Sequence, residues 1–325
     1  TIKHLDLAGE IIEKEIPQSV YYFPWGTYTQ NTPSVSVRRE IFDKFLADKA
    51  VQEGAELLTS TMAYRLSKSD DGMTAHLRNR TTGLELQVVG KLAVVACGAK
   101  SFTAANFGNI GFRKKPNSTF IAAIYEIEWK DNPLTSFEFI FDPRISPWGY
   151  GWVFPKKNHL NVGVGCLMSM MNKNIRYYLD DLVNRYPVVS RRLKGRAKVR
   201  FAGDIIPCAH AKRLVGDRVL VVGEAGGMVD PIWGGGIHFA LASGSLAGQV
   251  AVEAIEEDAF DERFLLRFDR RWRKSKDYRN LRKAYLLARV FLTYSKLDRY
   301  AFLRLMDLLM KRLKASKLPD GRLVS

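Results

Sequence analysis

Residues 218–249 read RVLVVGEAGGMVDPIWGGGIHFALASGSLAGQ, and this stretch decides the fold. It opens with the apolar run 219–222, which is typical of a buried parallel strand. Glu224 follows directly, between Gly223 and the small residues Ala225-Gly226-Gly227, and a triple glycine stands at residues 234–236. A segment rich in Ala, Ser and Gly then shows a helical pattern. The order of strand, glycine-rich turn and helix predicts an α/β core.

The residue types in this stretch point to a large ligand. A carboxylate at the end of a strand, here Glu224, can accept hydrogen bonds from ribose or polyol hydroxyls. Glycines let backbone N–H groups approach a planar or anionic molecule, and the next helix directs its positive end towards it. We therefore expect a bound dinucleotide, with a flavin favoured. The alternative is that the glycines only permit tight turns.

Composition excludes several classes of protein. The chain has 325 residues, enough for two domains. It contains no apolar run near the ~20 residues of a membrane span and no secretory signal pattern. Three scattered cysteines without CxxC spacing argue against disulfides and structural zinc, and five histidines without ligand spacing argue against a catalytic metal. We expect a cytoplasmic protein without a metal.

The positive charge is concentrated at the C-terminal end. The net charge is +16, and residues 263–325 carry 19 Lys and Arg against 5 Asp and Glu. These residues are also rich in Leu, Phe and Tyr, as in basic amphipathic helices that bind anionic membranes. A solvated outer face of packed helices accounts for the pattern equally well. We expect no nucleic-acid partner, because no DNA- or RNA-binding motif is present.

Prolines and apolar spacing predict the structure of three further segments. Residues 1–36 are expected to form short extended pieces, because three prolines break any helix there. Apolar residues at helical spacing predict a helix over residues 38–54. A second helix is predicted over residues 175–186 and is stopped by Pro187.

Strand-like segments without intervening helices predict an antiparallel sheet with one face towards a ligand. Residues 59–95 alternate apolar and polar side chains around turn sequences, as hairpins do. Further strands are expected near residues 120–129, 137–141, 151–155 and 160–167. The α/β pattern resumes at Arg218, and C-terminal helices follow Asp261.

Four motifs carry a resemblance to a known family. Residues 39–55 fit R-x-x-F-D…L…A…G-A, and residues 94–101 fit a strand-turn motif usually written A-D-G-x-x-S. Residues 150–165 fit Y-x-W-x-F-P, then seven residues, then G-x-G. Residues 223–237 fit G-D-A-A-G…P…G-x-G-I. The chain resembles the geranylgeranyl reductase family of flavoproteins, within the larger group that shares the p-hydroxybenzoate-hydroxylase fold.

The sequence departs from the family pattern at three points. Cys97 stands where the family usually has Asp, and Glu224 stands where it has the shorter Asp. The dinucleotide fingerprint G-x-G-x-x-G, which the resemblance implies ahead of the matching region, is absent from this sequence. We therefore expect the sequence to be part of a longer protein.

The resemblance implies FAD as the cofactor. It assigns Glu224 to the ribityl chain and Arg39 to the pyrophosphate or adenine side. It also places the helix that begins near Gly236 beside the N1–C2=O edge of the flavin ring. The other cofactor-binding residues that it implies are Gly98, Gly223, Ala225, Gly226, Pro231, Gly234, Gly235 and Ile237.

The resemblance further implies an enzyme that saturates isolated C=C bonds of prenyl chains by hydride transfer from reduced flavin. Tyr150, Trp152 and Phe154 alternate along a strand and are expected to line the substrate pocket. An ordinary aromatic core face is the other interpretation. The proton donor stays open among Cys166, Tyr150 and His238. The expected partners are a prenyl lipid, an anionic membrane surface with the protein peripheral to it, and either NAD(P)H or ferredoxin as electron donor.

Together these patterns predict an α/β (α+β) fold in which two domains are interleaved. We expect a Rossmann-like FAD-binding domain over residues 31–103 and 203–262. An antiparallel-sheet substrate domain is expected over residues 1–30 and 104–202, and basic amphipathic helices over residues 263–325.

Two other functions stay open at this point. Residues 148–155 partly resemble the W-x-W-x-I-P motif of halogenases, with Tyr150 at the first Trp position. A flavin-dependent monooxygenase or halogenase of the same fold is therefore one alternative. The departure at Cys97 and the absent fingerprint favour the other, a non-catalytic membrane-associated protein with a degenerate flavin fold.

Overall fold

The computed structural model describes residues 11–69, 72–101, 110–295, 300, 303–305, 307–308 and 322–324. In chain order the strands and helices are β1 Ile12–Phe23, β2 Gly26–Val37, α1 Arg39–Gln52, β3 Thr61–Lys68, β4 Met73–Asn79, β5 Glu85–Gly90, β6 Ala93–Val95, β7 Thr119–Glu128, β8 Ser136–Ile140, β9 Gly149–Pro155, β10 His159–Leu167, α2 Ile175–Arg185, α3 Pro187–Leu193, β11 Lys198–Pro207, β12 Val215–Gly216, β13 Val219–Val221, α4 Ile237–Glu256, α5 Glu262–Lys274, α6 Lys276–Ser295 and β14 Arg322–Val324. The mixed α/β fold class predicted from the sequence is confirmed.

The chain forms two compact units. The first consists mainly of Asp43–Lys114 and Pro207–Tyr285, and the second of Ile2–Phe42, Lys115–Ile206 and Leu286–Ser325. The assignment of a cofactor to the first unit and a substrate to the second stays a prediction.

The first unit contains the apolar run from which the fold was predicted. β13 pairs in parallel with β6, in the register Val219↔Ala93 to Val221↔Val95. All three residues of β13 are fully buried, as expected for a strand covered on both faces. A separate antiparallel sheet has the order β3-β4-β5. Helices α4 and α5 pack together through small and aromatic side chains, among them Ala247 and Phe268.

The second unit is built on an eight-stranded sheet of order β11-β7-β10-β9-β8-β1-β2-β14. Antiparallel pairing joins β7 to β10, β10 to β9 and β9 to β8, as predicted for these segments. β1 pairs with β8 in parallel, which the sequence did not indicate. None of the described helices is both long and apolar enough to cross a membrane.

The N-terminal segment differs from the prediction of short extended pieces. β1 and β2 have 12 residues each and form one long hairpin. The register shifts between Ile16 and Gln18, so Pro17 lies at a bulge, where its missing N–H group interrupts no regular ladder. Pro24 lies in the two-residue turn between Phe23 and Gly26. The prolines prevent a helix, but their positions allow long strands.

The two faces of the large sheet differ in character. On one face, helices α2 and α3 bury a core of aliphatic side chains that includes Leu179 and Leu182. Helix α2 begins after Asn174, whose Oδ1 accepts a hydrogen bond from the N–H of Tyr177 at 2.9 Å. A Cβ added to Gly151 of β9 would lie 3.0 Å from Leu182, so this strand approaches the helix closely. The opposite face carries the aromatic side chains of β9.

Candidate cofactor and substrate sites

In the first unit, the predicted acidic residue lies between two glycine turns. β6 and β13 are parallel, so the chain leaves both strands at the same edge of the sheet. A Cβ added to Gly98 would lie 3.9 Å from Oε2 of Glu224, and one added to Gly236 would lie 3.9 Å from Oε1. Gly98 has a φ of 76°, a conformation that favours glycine. The structure therefore brings three of the predicted cofactor residues together.

The helix after the loop approaches it closely because its facing residues are small. Gly223 donates its N–H to Oγ of the buried Ser243 at 3.1 Å. A Cβ on Gly223 would lie 3.2 Å from the Cβ of Ala240. The small side chains of Ala240 and Ser243 on α4 thus allow the loop to pass close to the helix.

The triple-glycine turn is organised by Asp230, a role that the sequence interpretation missed. Oδ1 of Asp230 accepts hydrogen bonds from the N–H groups of Ile232 and Trp233 at 2.8 and 3.0 Å. Its own N–H donates to the carbonyl of Gly235 at 2.9 Å, and the N–H of Gly234 donates to its carbonyl at 2.8 Å. Asp before Pro is a common turn signal, and this signal was present in the sequence.

The neighbouring predicted residues occupy different positions in the loop. Ala225 and Gly226 are buried, and their carbonyls accept hydrogen bonds from the N–H groups of Phe112 and Ala211 at 2.7 and 3.1 Å. Pro231 is also buried. Gly236 is the N-cap of α4, without a side-chain cap, and Ile237 is its first residue. The first N–H groups of a helix lack intrahelical acceptors, so this end can bind a carbonyl oxygen or an anion.

Arg39 belongs to the second unit, where it begins α1. Its neighbours are engaged in ion pairs. Nε of Arg38 lies 3.4 Å from Oε1 of Glu13, and Glu40 accepts from Nη1 of Arg200 at 2.9 Å. The role of Arg39 towards a pyrophosphate stays a prediction.

The predicted aromatic trio lies on one face of β9. The ring centroids of Tyr150 and Trp152 are 5.8 Å apart, and those of Trp152 and Phe154 are 6.0 Å apart. Phe154 is buried, whereas Tyr150 and Trp152 are half-buried. Nε1 of Trp152 donates to Oδ1 of Asn161 at 2.8 Å, which fixes the orientation of the indole. We call Tyr150, Trp152 and Phe154 the aromatic wall.

Strands β8 and β1 extend the aromatic wall with residues that the sequence interpretation did not select. Phe139 of β8 lies 5.6 Å from Tyr150 and 5.3 Å from Phe154, measured between ring centroids. Tyr21 of β1 stacks on Phe139 at 5.2 Å. Aromatic residues at every second position of both segments were the available signal. The parallel pairing that joins the two strands was not visible.

The three proton-donor candidates lie in different surroundings. Cys166 lies on the face covered by α2, within the aliphatic core, and burial raises its pKa to about 12. It therefore does not face the aromatic wall. Tyr150 belongs to that wall, and His238 lies in the first turn of α4 with its ring 3.8 Å from that of Phe239.

Comparison with known proteins places this arrangement in a family. The profile of the geranylgeranyl reductase catalytic domain matches residues 118–199, which contain the aromatic wall. A digeranylgeranylglycerophospholipid reductase of Methanococcus vannielii is 34% identical over 77% of this chain and 63% of its own length. Digeranylgeranylglycerophospholipid reductase 1 of Methanopyrus kandleri is 33% identical over 80% of this chain and 69% of its own length. The chain thus spans less than two thirds of the first of these relatives.

Solved structures share the fold. A geranylgeranyl bacteriochlorophyll reductase-like protein from Thermoplasma acidophilum superimposes with a TM-score of 0.75 at 24% identity, covering 86% of this chain and 73% of that protein. The flavin-dependent brominase Bmp2 superimposes with a TM-score of 0.70 at 21% identity, covering 97% and 81%. At this identity the likeness shows the fold alone. The sequence relatives go further: the chain belongs to the geranylgeranyl reductase family, as its motifs predicted.

Proposed function

We propose that this protein is an FAD-dependent reductase that saturates C=C bonds in the geranylgeranyl chains of lipid precursors. The observation that carries the proposal is the aromatic wall, which lies within the segment matched by the catalytic-domain profile. The relatives at 33–34% identity are digeranylgeranylglycerophospholipid reductases, and this supports a prenyl lipid substrate.

The loop of the first unit fits FAD. Glu224 presents a carboxylate to the space between two glycine turns, where it can accept hydrogen bonds from ribityl hydroxyls. A Cβ on Gly235 would meet nothing within 4 Å, so the backbone is open to a ligand there. The N-terminus of α4 adds a positive dipole end, which suits the negative charge of a reduced flavin.

Each site supplies a different part of the reaction. FAD, when bound and reduced, supplies the hydride for one carbon of the double bond. The aromatic wall holds the flexible apolar chain and excludes water from it. The hydroxyl of Tyr150 and the imidazole of His238 stay the candidates for protonating the other carbon. Glu224 and the first turn of α4 orient the cofactor.

Oxygen dependence tests this proposal against the halogenase or monooxygenase alternative. The full-length protein is loaded with FAD, reduced anaerobically with dithionite and mixed with a geranylgeranyl glycerophospholipid. We expect mass spectrometry to show the gain of two hydrogen atoms for each saturated bond without oxygen. A product that forms only when oxygen is admitted, and that carries oxygen or halogen, would support the alternative instead.

We further propose that helix α6 binds an anionic membrane surface. On α5, Arg267, Arg271 and Arg273 all pair with acidic side chains, so much of its charge is satisfied within the protein. On α6, Arg279 and Lys283 are exposed and form no ion pair with the described residues. In this proposal α5 is a solvated outer face of packed helices and α6 is the membrane-binding helix.

Three basic residues of one exposed surface make the membrane proposal testable. Arg279, Arg282 and Lys283 are exposed together on α6, and Leu286 of the same helix is 54% exposed. Each basic residue near an anionic surface contributes about 1 kcal/mol to the binding free energy. We therefore expect the triple replacement of these residues by Glu to abolish binding to phosphatidylserine vesicles, measured by co-sedimentation. The control reverses Lys130, Lys157 and Lys194, which are also exposed, and changes the net charge equally. Equal loss in both variants would contradict a specific surface on α6.

A further inference from the structure

Tyr285 of helix α6 forms hydrogen bonds with the loop that carries Glu224. Its hydroxyl donates towards the carbonyl oxygens of Gly227 and Val229, and the distance to Val229 O is 3.0 Å. A phenol has a single proton, so the two carbonyls share it. Burial raises the pKa of Tyr285 far above its usual value, so the hydroxyl stays a donor throughout the physiological range.

The two carbonyls lie in a part of the loop that is otherwise held by backbone hydrogen bonds, among them Gly227 N–H to Glu224 O at 2.9 Å and Val229 N–H to Gly227 O at 3.0 Å. The start of the loop is held by the hydrogen bond from Gly223 to Ser243, and its end by the side chain of Asp230. Between them, Gly227 adopts a left-handed conformation with a φ of 69°. A Cβ at Gly227 would overlap the carbonyl of Ala209, so the loop passes very close to the backbone at Ala209. Helix α6, which is distant in sequence, supplies a side-chain hydrogen bond to Gly227 and Val229 through Tyr285.

We infer that Tyr285 is a positioning residue for the cofactor loop. By holding the carbonyls of Gly227 and Val229, it fixes the backbone between Glu224 and the glycines at 234–236. The inference rests on the proposed function, in which this loop binds FAD. It adds a residue that lies outside every motif of the family resemblance, and it assigns the middle of α6 a role in cofactor affinity.

The variant Y285F removes the donor and keeps the ring, which packs against His210 at a centroid distance of 6.2 Å. Two carbonyls then lose their side-chain partner, and the loop can leave its bound geometry. We expect FAD to bind about tenfold more weakly, the size of effect that follows the loss of a hydrogen bond to a buried partner. We also expect faster amide exchange across residues 223–236.

Tyr278 provides the matched control on the same helix. Its hydroxyl accepts from Nη1 of Arg273 at 3.0 Å, and its ring packs against His210 at 5.5 Å. Y278F therefore removes from α6 a tyrosine hydroxyl whose hydrogen bond is to Arg273 and not to the loop. We expect its FAD affinity and loop exchange to equal those of the wild type.

Hydrogen-exchange mass spectrometry of the flavin-free full-length protein, followed by FAD titration, tests the inference. Exchange of peptides from α4 serves as the reference for global stability. Faster exchange of residues 223–236 relative to α4 in Y285F alone, with weaker FAD binding, supports the inference. Loop exchange at the wild-type rate, or a lowered Tm with unchanged FAD affinity, overturns it. If loop exchange is faster in Y285F but neither the variant nor the wild type binds FAD, the contact of Tyr285 with the loop is supported and the proposed function is contradicted.

Discussion

Gly163 lies directly beneath the indole ring of Trp152. The two residues are register partners on β10 and β9, and a Cβ on Gly163 would overlap the indole atoms Cζ2 and Cε2. Gly165, two residues further along, passes the edge of the same ring at a distance that leaves room for a Cβ. The spacing between the Y-x-W-x-F-P and G-x-G segments thus has a physical reason, because the ring of one strand lies over the glycines of the next.

Replacement of Gly163 by Ala should tilt the indole and disrupt the aromatic wall. Overpacking of this kind costs about 1–3 kcal/mol, and we expect kcat/KM for a prenyl lipid to fall about tenfold or more. G165A is the control, because its Cβ would lie 3.6 Å from Trp152, an ordinary contact. Steady-state kinetics and thermal unfolding of both variants check this expectation. Equal behaviour of G163A and G165A would contradict the role assigned to Gly163.

Replacement of Glu224 should show whether its carboxylate binds FAD. Removal of the carboxylate in E224A is expected to weaken FAD binding about tenfold or more, because a charged acceptor is lost. E224D keeps the carboxylate that the family usually has at this position, and should bind FAD nearly as well as the wild type. Fluorescence titration measures both affinities. An E224A protein with wild-type affinity would remove Glu224 from the cofactor site.

Lys156 should make the free energy of unfolding depend on pH. It is buried after Phe154-Pro155, its Nζ donates to the carbonyl of Val37 at 2.6 Å, and burial lowers its pKa to about 8 from the usual 10.5. The groups whose charges act on it are Glu13, Glu126, Arg38 and Arg39. Between about pH 8 and 10.5 the unfolded chain binds more protons than the folded protein, so the free energy of unfolding should rise with pH.

Urea unfolding at several pH values across this window measures the effect. The K156M variant should lack the part of the rise that belongs to this lysine, whereas K157M, at the exposed neighbour, should keep it. Other groups titrate in the same range, so the contribution of Lys156 is the difference in pH dependence of the unfolding free energy between K156M and K157M. An identical pH dependence in K156M and K157M would show that Lys156 has an ordinary pKa.

Cys166 should be dispensable for the chemistry. It packs among the aliphatic side chains beneath α2, and its Sγ lies 3.4 Å from Oγ of Ser146. The C166A variant should lose about 1–2 kcal/mol of stability through the cavity that it leaves. At temperatures below its Tm, its kcat should stay within about twofold of the wild type, since it lies on the opposite face from the aromatic wall. A large loss of kcat with unchanged stability would restore Cys166 as a proton donor.

Much of the fold could be predicted because its signals are local. The buried strand at Val219–Val221, the glycine turn and the helix that begins after Gly236 form one continuous stretch of sequence. Alternation placed Tyr150, Trp152 and Phe154 on one face without knowledge of neighbouring strands.

Pairings between distant segments could not be predicted in this way. The parallel pairing of β1 with β8 joins residues more than 100 positions apart, so the contribution of Tyr21 and Phe139 to the aromatic surface stayed hidden. Tyr285 approaches Gly227 across 58 positions, and no spacing rule relates them. Proline positions were misread for the same reason, because a bulge is defined by both strands of a pair.

The most direct test of the central claim is the stoichiometry of a single anaerobic turnover. The full-length protein is loaded with FAD, reduced, freed of excess reductant and mixed with a geranylgeranyl glycerophospholipid. Flavin reoxidation is followed by absorbance, and the lost double bonds are counted by mass spectrometry. We predict that one flavin is reoxidised for each C=C bond saturated, in the absence of oxygen. Flavin that stays reduced while the lipid is unchanged would contradict the assignment of this protein as a prenyl reductase.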